Sequence, residues 1–157
     1  MNSIVKRAGI PTDLDICPSG GIDLDESFAL ADLRGKTIEE ATELFSTNSV
    51  YYQDHLVWIG PYAFAYYFSA FDNFIRSPRS EGFADVFAGL LYVVKARMQR
   101  DPDSVIQIKE EVVDLIKYCL ENHEKFCINL IADGDLVIQM NDILHIIIKW
   151  PAKTSSS

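Results

Sequence analysis

Residues 58–75 read Trp58-Ile59-Gly60-Pro61-Tyr62-Ala63-Phe64-Ala65-Tyr66-Tyr67-Phe68-Ser69-Ala70-Phe71-Asp72-Asn73-Phe74-Ile75. Proline at a first helical position loses only an amide that has no partner there, so Gly60-Pro61 marks a helix start. Phe64, Tyr67, Phe68, Phe71, Phe74 and Ile75 then recur at steps of three and four, which puts them on one face of a helix. Ser77-Pro78-Arg79-Ser80 ends it. A helix this rich in aromatic side chains must bury that face, and the rest of the chain has to supply the partner surfaces.

Downstream, the spacing predicts a second long helix over about 81–100. Its buried face is Phe83, Val86, Phe87, Leu90, Leu91, Val94 and Met98, and Lys95, Arg97 and Arg100 complement the dipole at its end. Asp101-Pro102 restarts the chain as N-cap and proline. A third helix to about Lys125 carries the stripe Val105, Ile108, Val112, Leu115, Ile116, Cys119 and Leu120. Residues 126–148 read two ways. Leu136, Met140, Ile143, Leu144 and Ile147 have helical spacing, whereas Asp133-Gly134 between β-branched residues is a good hairpin turn. The helical spacing persists over three turns and is preferred.

Upstream, Val50–Ile59 (VYYQDHLVWI) is aromatic and β-branched and reads as a strand or extended segment. Thr37 and Glu40 match a capping box before the stripe Ala41, Leu44 and Phe45. A short helix is expected near 25–33, stopped by Gly35. Residues 1–21, with Pro11, Pro18 and Gly20-Gly21, show no apolar period and are expected to be irregular. The fold class is mainly α: a single irregular helical domain over 22–150, with room for a short strand or hairpin near 50–59 or 126–148, and a frayed tail over 151–157.

The 157 residues suit one domain, and 48% hydrophobic with 24% charged residues is a globular composition. Net charge is −9. That argues against general binding to nucleic acid, which needs a cationic surface, and against docking on anionic lipid. The charge is uneven. Residues 10–54 hold ten carboxylates opposed only by Arg34 and Lys36, a local −8. Such a field steers a cationic partner toward one side of a protein; the simpler reading is a solvated face. No apolar signal core opens the chain and no apolar run reaches membrane-spanning length. Cys17, Cys119 and Cys127 form an odd set without framework spacing, which suits free thiols in a reducing cytoplasm.

Catalytic constellations are weak. Cys119, His123 and Cys127 share a helical spacing, but the outer two lie about 12 Å apart along a helix, too far for one tetrahedral metal site. Cys119 fits the apolar stripe instead. No serine sits in a nucleophile elbow, and His55, His123 and His145 have no sequence-evident partner beyond Cys17 as a remote candidate for His55. Pro18-Ser19-Gly20-Gly21 lacks the patterns of a phosphate loop. No metal, cofactor or catalytic residue is assigned.

The aromatic concentration is the most unusual feature: residues 51–74 hold ten of the 18 aromatic side chains. Tyr51, Tyr52, Tyr62 and Tyr66 lie off the main face; they form either a second layer of the core or a surface patch. Tyrosine and tryptophan are strong interface anchors because they bury much area with little entropy loss.

The segment Trp58–Phe71, an aromatic-Gly-Pro start leading into an aromatic helix, resembles small bacterial domains of uncharacterised function. Some of these look like immunity proteins of toxin systems. The resemblance spans 20–30 residues of core-forming type and transfers no functional residue. It implies a non-enzymatic inhibitor of a toxin domain. Together with the charge, it gives the expected function: a cytoplasmic protein-binding module that covers the basic site of a cationic toxin such as a nuclease. Asp23, Asp25, Glu26, Glu39, Glu40 and Glu43 would supply charge, and Tyr51, Tyr52 and Trp58 anchors. The alternatives are a small enzyme or ligand-binding domain with an aromatic-lined pocket near Tyr67, His123 or His145, and a structural subunit that self-associates. Oligomeric state is left open.

Overall fold

The computed structural model describes residues 9–151. Among these residues the chain forms nine α-helices, two 3₁₀ turns and no strand. The helices are α1 (Asp13–Ile16), α2 (Leu24–Leu33), α3 (Ile38–Thr47), α4 (Ser49–Trp58), α5 (Pro61–Arg76), α6 (Ala84–Arg100), α7 (Pro102–Gln107), α8 (Lys109–Glu121) and α9 (Gly134–Lys149). The fold is thus mainly α, as the periodicity predicts. Residues through Arg79 pack as one compact unit and those from Ser80 onward as another. The first eight residues, and the tail expected to fray after Pro151, lie outside the described residues.

In the first unit α5 is the hub. Its predicted face is buried throughout: Phe64, Tyr67, Phe68, Phe71, Phe74 and Ile75. Phe71 stacks on Phe45 of α3 at 5.1 Å between ring centres. Tyr67 is buried among apolar groups, and desolvation pushes its pKa well above the usual tyrosine value. Its hydroxyl donates to the carbonyls of Leu33 and Lys36 at 2.8 and 3.0 Å, which ties the end of α2 to the hub. Gly60 admits the chain from the N-terminus. Its amide donates to the Asp15 carbonyl at 3.1 Å, and a Cβ there would overlap that carbonyl and the Pro18 ring.

Each short helix of this unit begins with a side-chain cap. The residues are Thr12, Asp23, Thr37 and Asn48, each accepting a backbone N–H of the first turn. Thr37 with Glu40 forms the expected capping box. Two expectations need correction. Within the segment read as irregular, Thr12 and Asp15 build a second capping box and a helical turn, α1. And 50–59 is not a strand but α4: Asn48 caps it, and the apolar and β-branched side chains pack as a helix because α2, α3 and α5 flank it. Tertiary packing overrides local β preference here.

The second unit is built from longer helices and an aliphatic core that includes Leu90, Val94, Val112, Leu115, Met140 and Ile147. None of α6–α9 has a side-chain cap hydrogen bond. Residues 134–149 are helical, so the preferred reading of that segment holds and the hairpin does not form. The helix predicted from Pro102 to Lys125 is broken at Ile108, and a 3₁₀ turn over His123–Phe126 follows α8. Both Val105 and Ile108 stay buried across the break, so apolar spacing does not register it. Arg97, read from sequence as complementing the helix dipole, is buried. It donates from Nε to Ser104 Oγ at 3.1 Å and pairs with Asp101 at 3.2 Å, fastening α7 to α6. Burial lowers its guanidinium pKa to about 10, against the opposing pull of Asp101, so the group stays charged at neutral pH. Phe83, expected inside, stands exposed at the N-cap position of α6.

Candidate functional site

Two helical stripes of the first unit meet along one side. On α2, Asp25, Phe28 and Asp32 follow at steps of three and four. On α4, Val50 and Asp54 share one row, and Tyr51 and His55 the next. Asp25, Phe28, Val50, Tyr51, Asp54 and His55 line a cleft of about 330 Å³. That volume lies at the small end for ligand sites and suits one long side chain better than an extended ligand.

The cleft combines three environments. Phe28 (53% exposed), Val50 (54%) and Tyr51 (47%) present apolar surface to solvent. The Asp25 side chain makes no hydrogen bond or ion pair among the described residues, while Asp54 accepts from Trp58 Nε1 at 3.2 Å. Beneath them His55 is 4% exposed, its Nε2 2.7 Å from Asp32 Oδ2. The same oxygen accepts the Tyr51 hydroxyl at 2.9 Å. That hydrogen bond, with the neighbouring carboxylate charge, raises the Tyr51 pKa above its ordinary value. Tyr51 also meets Tyr52 and His55 edge-on, at 4.9 and 5.2 Å between ring centres. An exposed tyrosine is thus fixed on three sides, a preorganised contact surface.

The structure sorts the residues expected to meet a partner. Asp25 and Tyr51 lie in the cleft, Tyr52 packs against Tyr51, and Trp58 touches Asp54. Asp23 caps α2, and Glu40 closes the α3 capping box by accepting the Thr37 amide. Glu26 is buried and accepts the Ser19 amide at 3.0 Å. Glu43 pairs with Arg79 at 2.7 Å, and Glu39 stands exposed on α3. Much of the local −8 is therefore committed to caps and pairs, with Asp13 on Arg34 as another example. Counted by unit, the charge is nearly even: −5 through residue 79 and −4 beyond. Sequence reading missed Phe28 and Asp32 as site residues. Their three-four spacing with Asp25 was visible, but its counterpart on α4 was hidden by the extended reading of 50–59.

Of the off-face tyrosines, Tyr62 is buried with its hydroxyl on the Gly9 carbonyl at 2.6 Å, Tyr52 and Tyr66 are half-buried, and Tyr51 is exposed. In the second unit His123 Nδ1 lies 3.1 Å from the Ile128 carbonyl, Cys127 is exposed, Cys119 is buried and His145 is exposed. Among the described residues no group of three or more His, Cys, Asp or Glu side chains is placed to hold a metal ion. Nor, among them, is any helix long and apolar enough to cross a membrane. No protein-family model, curated protein or solved structure matches the chain.

Proposed function

We propose that this protein is a protein-binding module of the immunity type, which neutralises a cationic toxin, such as a nuclease, by covering its basic site. The observation that supports this reading most is the α2–α4 cleft, where an exposed, rigidly held tyrosine and two further apolar side chains lie between carboxylates. Apolar anchors supply affinity once desolvated, and the carboxylates speed encounter with a basic surface and reject acidic ones. The local resemblance of residues 58–71 to small immunity-like bacterial domains agrees with it. The decisive experiment is calorimetric titration against the product of the adjacent gene. Tight binding that weakens with salt and is lost in an Asp25→Lys/Asp54→Lys variant is the expected result. Binding untouched by that double reversal would remove the cleft from the interface, and no binding would remove the reading.

A second reading rests on the Asp32–His55 hydrogen bond. A part-buried carboxylate that orients a buried imidazole is the supporting half of a general base, and it would serve a small-ligand enzyme. His55→Gln separates the two: loss of an activity favours catalysis, whereas unchanged partner affinity with unchanged fold favours a purely architectural imidazole.

A further inference from the structure

From the cleft geometry we infer that the α2–α4 cleft receives an arginine side chain of the partner protein; this rests on the protein-binding reading above and specifies its chemistry. Three properties of the cleft converge on a guanidinium. Its walls are apolar and partly aromatic, from Phe28, Val50 and Tyr51, all about half exposed. Its charge is acidic: the Asp25 side chain has no partner among the described residues, and Asp54 stands on the facing helix. Its size, about 330 Å³, fits one extended side chain.

The occupant must therefore be cationic at its tip, apolar along its stem and content against a flat ring. Both lysine and arginine have an apolar stem and a charge. They differ at the tip. The ammonium is compact and strongly hydrated, and gives up its water reluctantly. The guanidinium is planar and weakly hydrated, stacks on aromatic faces and offers several donors to carboxylates. A ring held in place by Asp32, Tyr52 and His55 presents such a face without an ordering cost at the moment of binding. The carboxylates then face a donor fork, in the pairing that favours arginine at protein interfaces.

The test uses the full chain and defined probes. Isotope-labelled protein is titrated with acetyl-arginine amide, acetyl-lysine amide and the uncharged acetyl-norleucine amide, then with arginine-rich and lysine-rich peptides of equal length and charge. The arginine compounds are expected to shift the Val50, Tyr51 and Asp54 resonances most. Replacement of the stacking ring, Tyr51→Ala, is expected to weaken the arginine peptide by roughly two- to fivefold, the scale of an exposed cation–ring contact. Asp25→Asn, at an exposed position, tests charge at the cost only of a first-turn carboxylate of α2. Equal binding of both peptides, equally sensitive to Asp25→Asn, would overturn the arginine assignment and leave the electrostatic protein-binding reading standing. Shifts located away from the cleft, or none at all, would likewise overturn the assignment. The adjacent gene product judges the broader reading independently. Fold integrity of each variant is read from its amide spectrum.

Discussion

The two units solve the same problem, burying apolar stripes of helices, by different means. Through Arg79 four short helices, α1–α4, each begin with a side-chain cap around the longer α5, which has none, and tyrosine hydroxyls donate to backbone carbonyls. From Ser80 onward the main helices are longer than those four, uncapped by side chains, and rest on mostly aliphatic packing, with the Phe87–Phe126 ring pair and a buried, paired arginine among it. Short helices gain little from internal cooperativity, so each needs its ends satisfied. Longer ones bury enough surface to dispense with that. Both units leave surface clefts, of about 330 Å³ in the first and about 360 and 460 Å³ in the second; in the first, the lining Tyr51 is held at the surface by its hydrogen bond to Asp32.

The sharpest way to probe this contrast is at the hub. Phe71→Ala removes a fully buried ring that stacks on Phe45, and is expected to cost about 3–5 kcal/mol in urea unfolding. A loss below that of a core truncation such as Leu115→Ala, expected at about 2–5 kcal/mol, would show that the aromatic hub is not the dominant anchor. Gly60→Ala should come next, at about 1–3 kcal/mol, since the added methyl collides with backbone that has little room to retreat. Its effect is steric, as Gly60 has ordinary extended dihedrals. Retention of full stability would mean that the Asp15–Pro18 segment yields easily.

Caps allow a two-way test. Thr37→Ala is expected to cost about 1 kcal/mol. The converse change in the other unit, Phe83→Ser, should add roughly 0.5–1 kcal/mol by giving α6 the cap it lacks, because the ring is already exposed. If both changes were neutral, capping would not be what distinguishes the units. The smallest effect concerns the cleft. Tyr51 ionises above its ordinary pKa, because Asp32 accepts its proton-bearing hydroxyl. The folded state thus holds this proton more tightly than the unfolded chain. Its contribution to stability is present below the ordinary tyrosine pKa and is lost as pH rises through the raised value. Asp32→Asn should move the tyrosinate absorbance midpoint of Tyr51 downward, identified by its absence in Tyr51→Phe. An unmoved midpoint would remove Asp32 as the cause.

Most of the helical scaffold was legible in the chain. The Gly60-Pro61 start, the face from Phe64 to Ile75 and the Thr37–Glu40 box all encode local rules that tertiary context does not reverse. What failed to show were features with mixed signals. In α4 a buried Gln53 and His55 alternate with an exposed Tyr51, so no apolar stripe marks a helix, and only Asn48 announces its start. The break at Ile108 was invisible because the residues on both sides stay inside. The site was half legible. Tyr51 and Asp25 were chosen for being aromatic and acidic, while Glu26, Asp23 and Glu40, chosen on the same grounds, serve the backbone. A carboxylate near a helix start has two possible duties, and composition does not separate them.

The first unit is drawn from one continuous stretch of sequence, ending at Arg79. During synthesis the ribosome completes every residue of it before most of the second unit exists. At roughly 5–20 residues per second the remainder follows several seconds later. The aromatic hub and its capped helices therefore have time to assemble while the aliphatic half is still being translated. Early protease protection of residues before Arg79 in nascent chains is the expected sign of that order, and protection arriving only with the finished chain would contradict it.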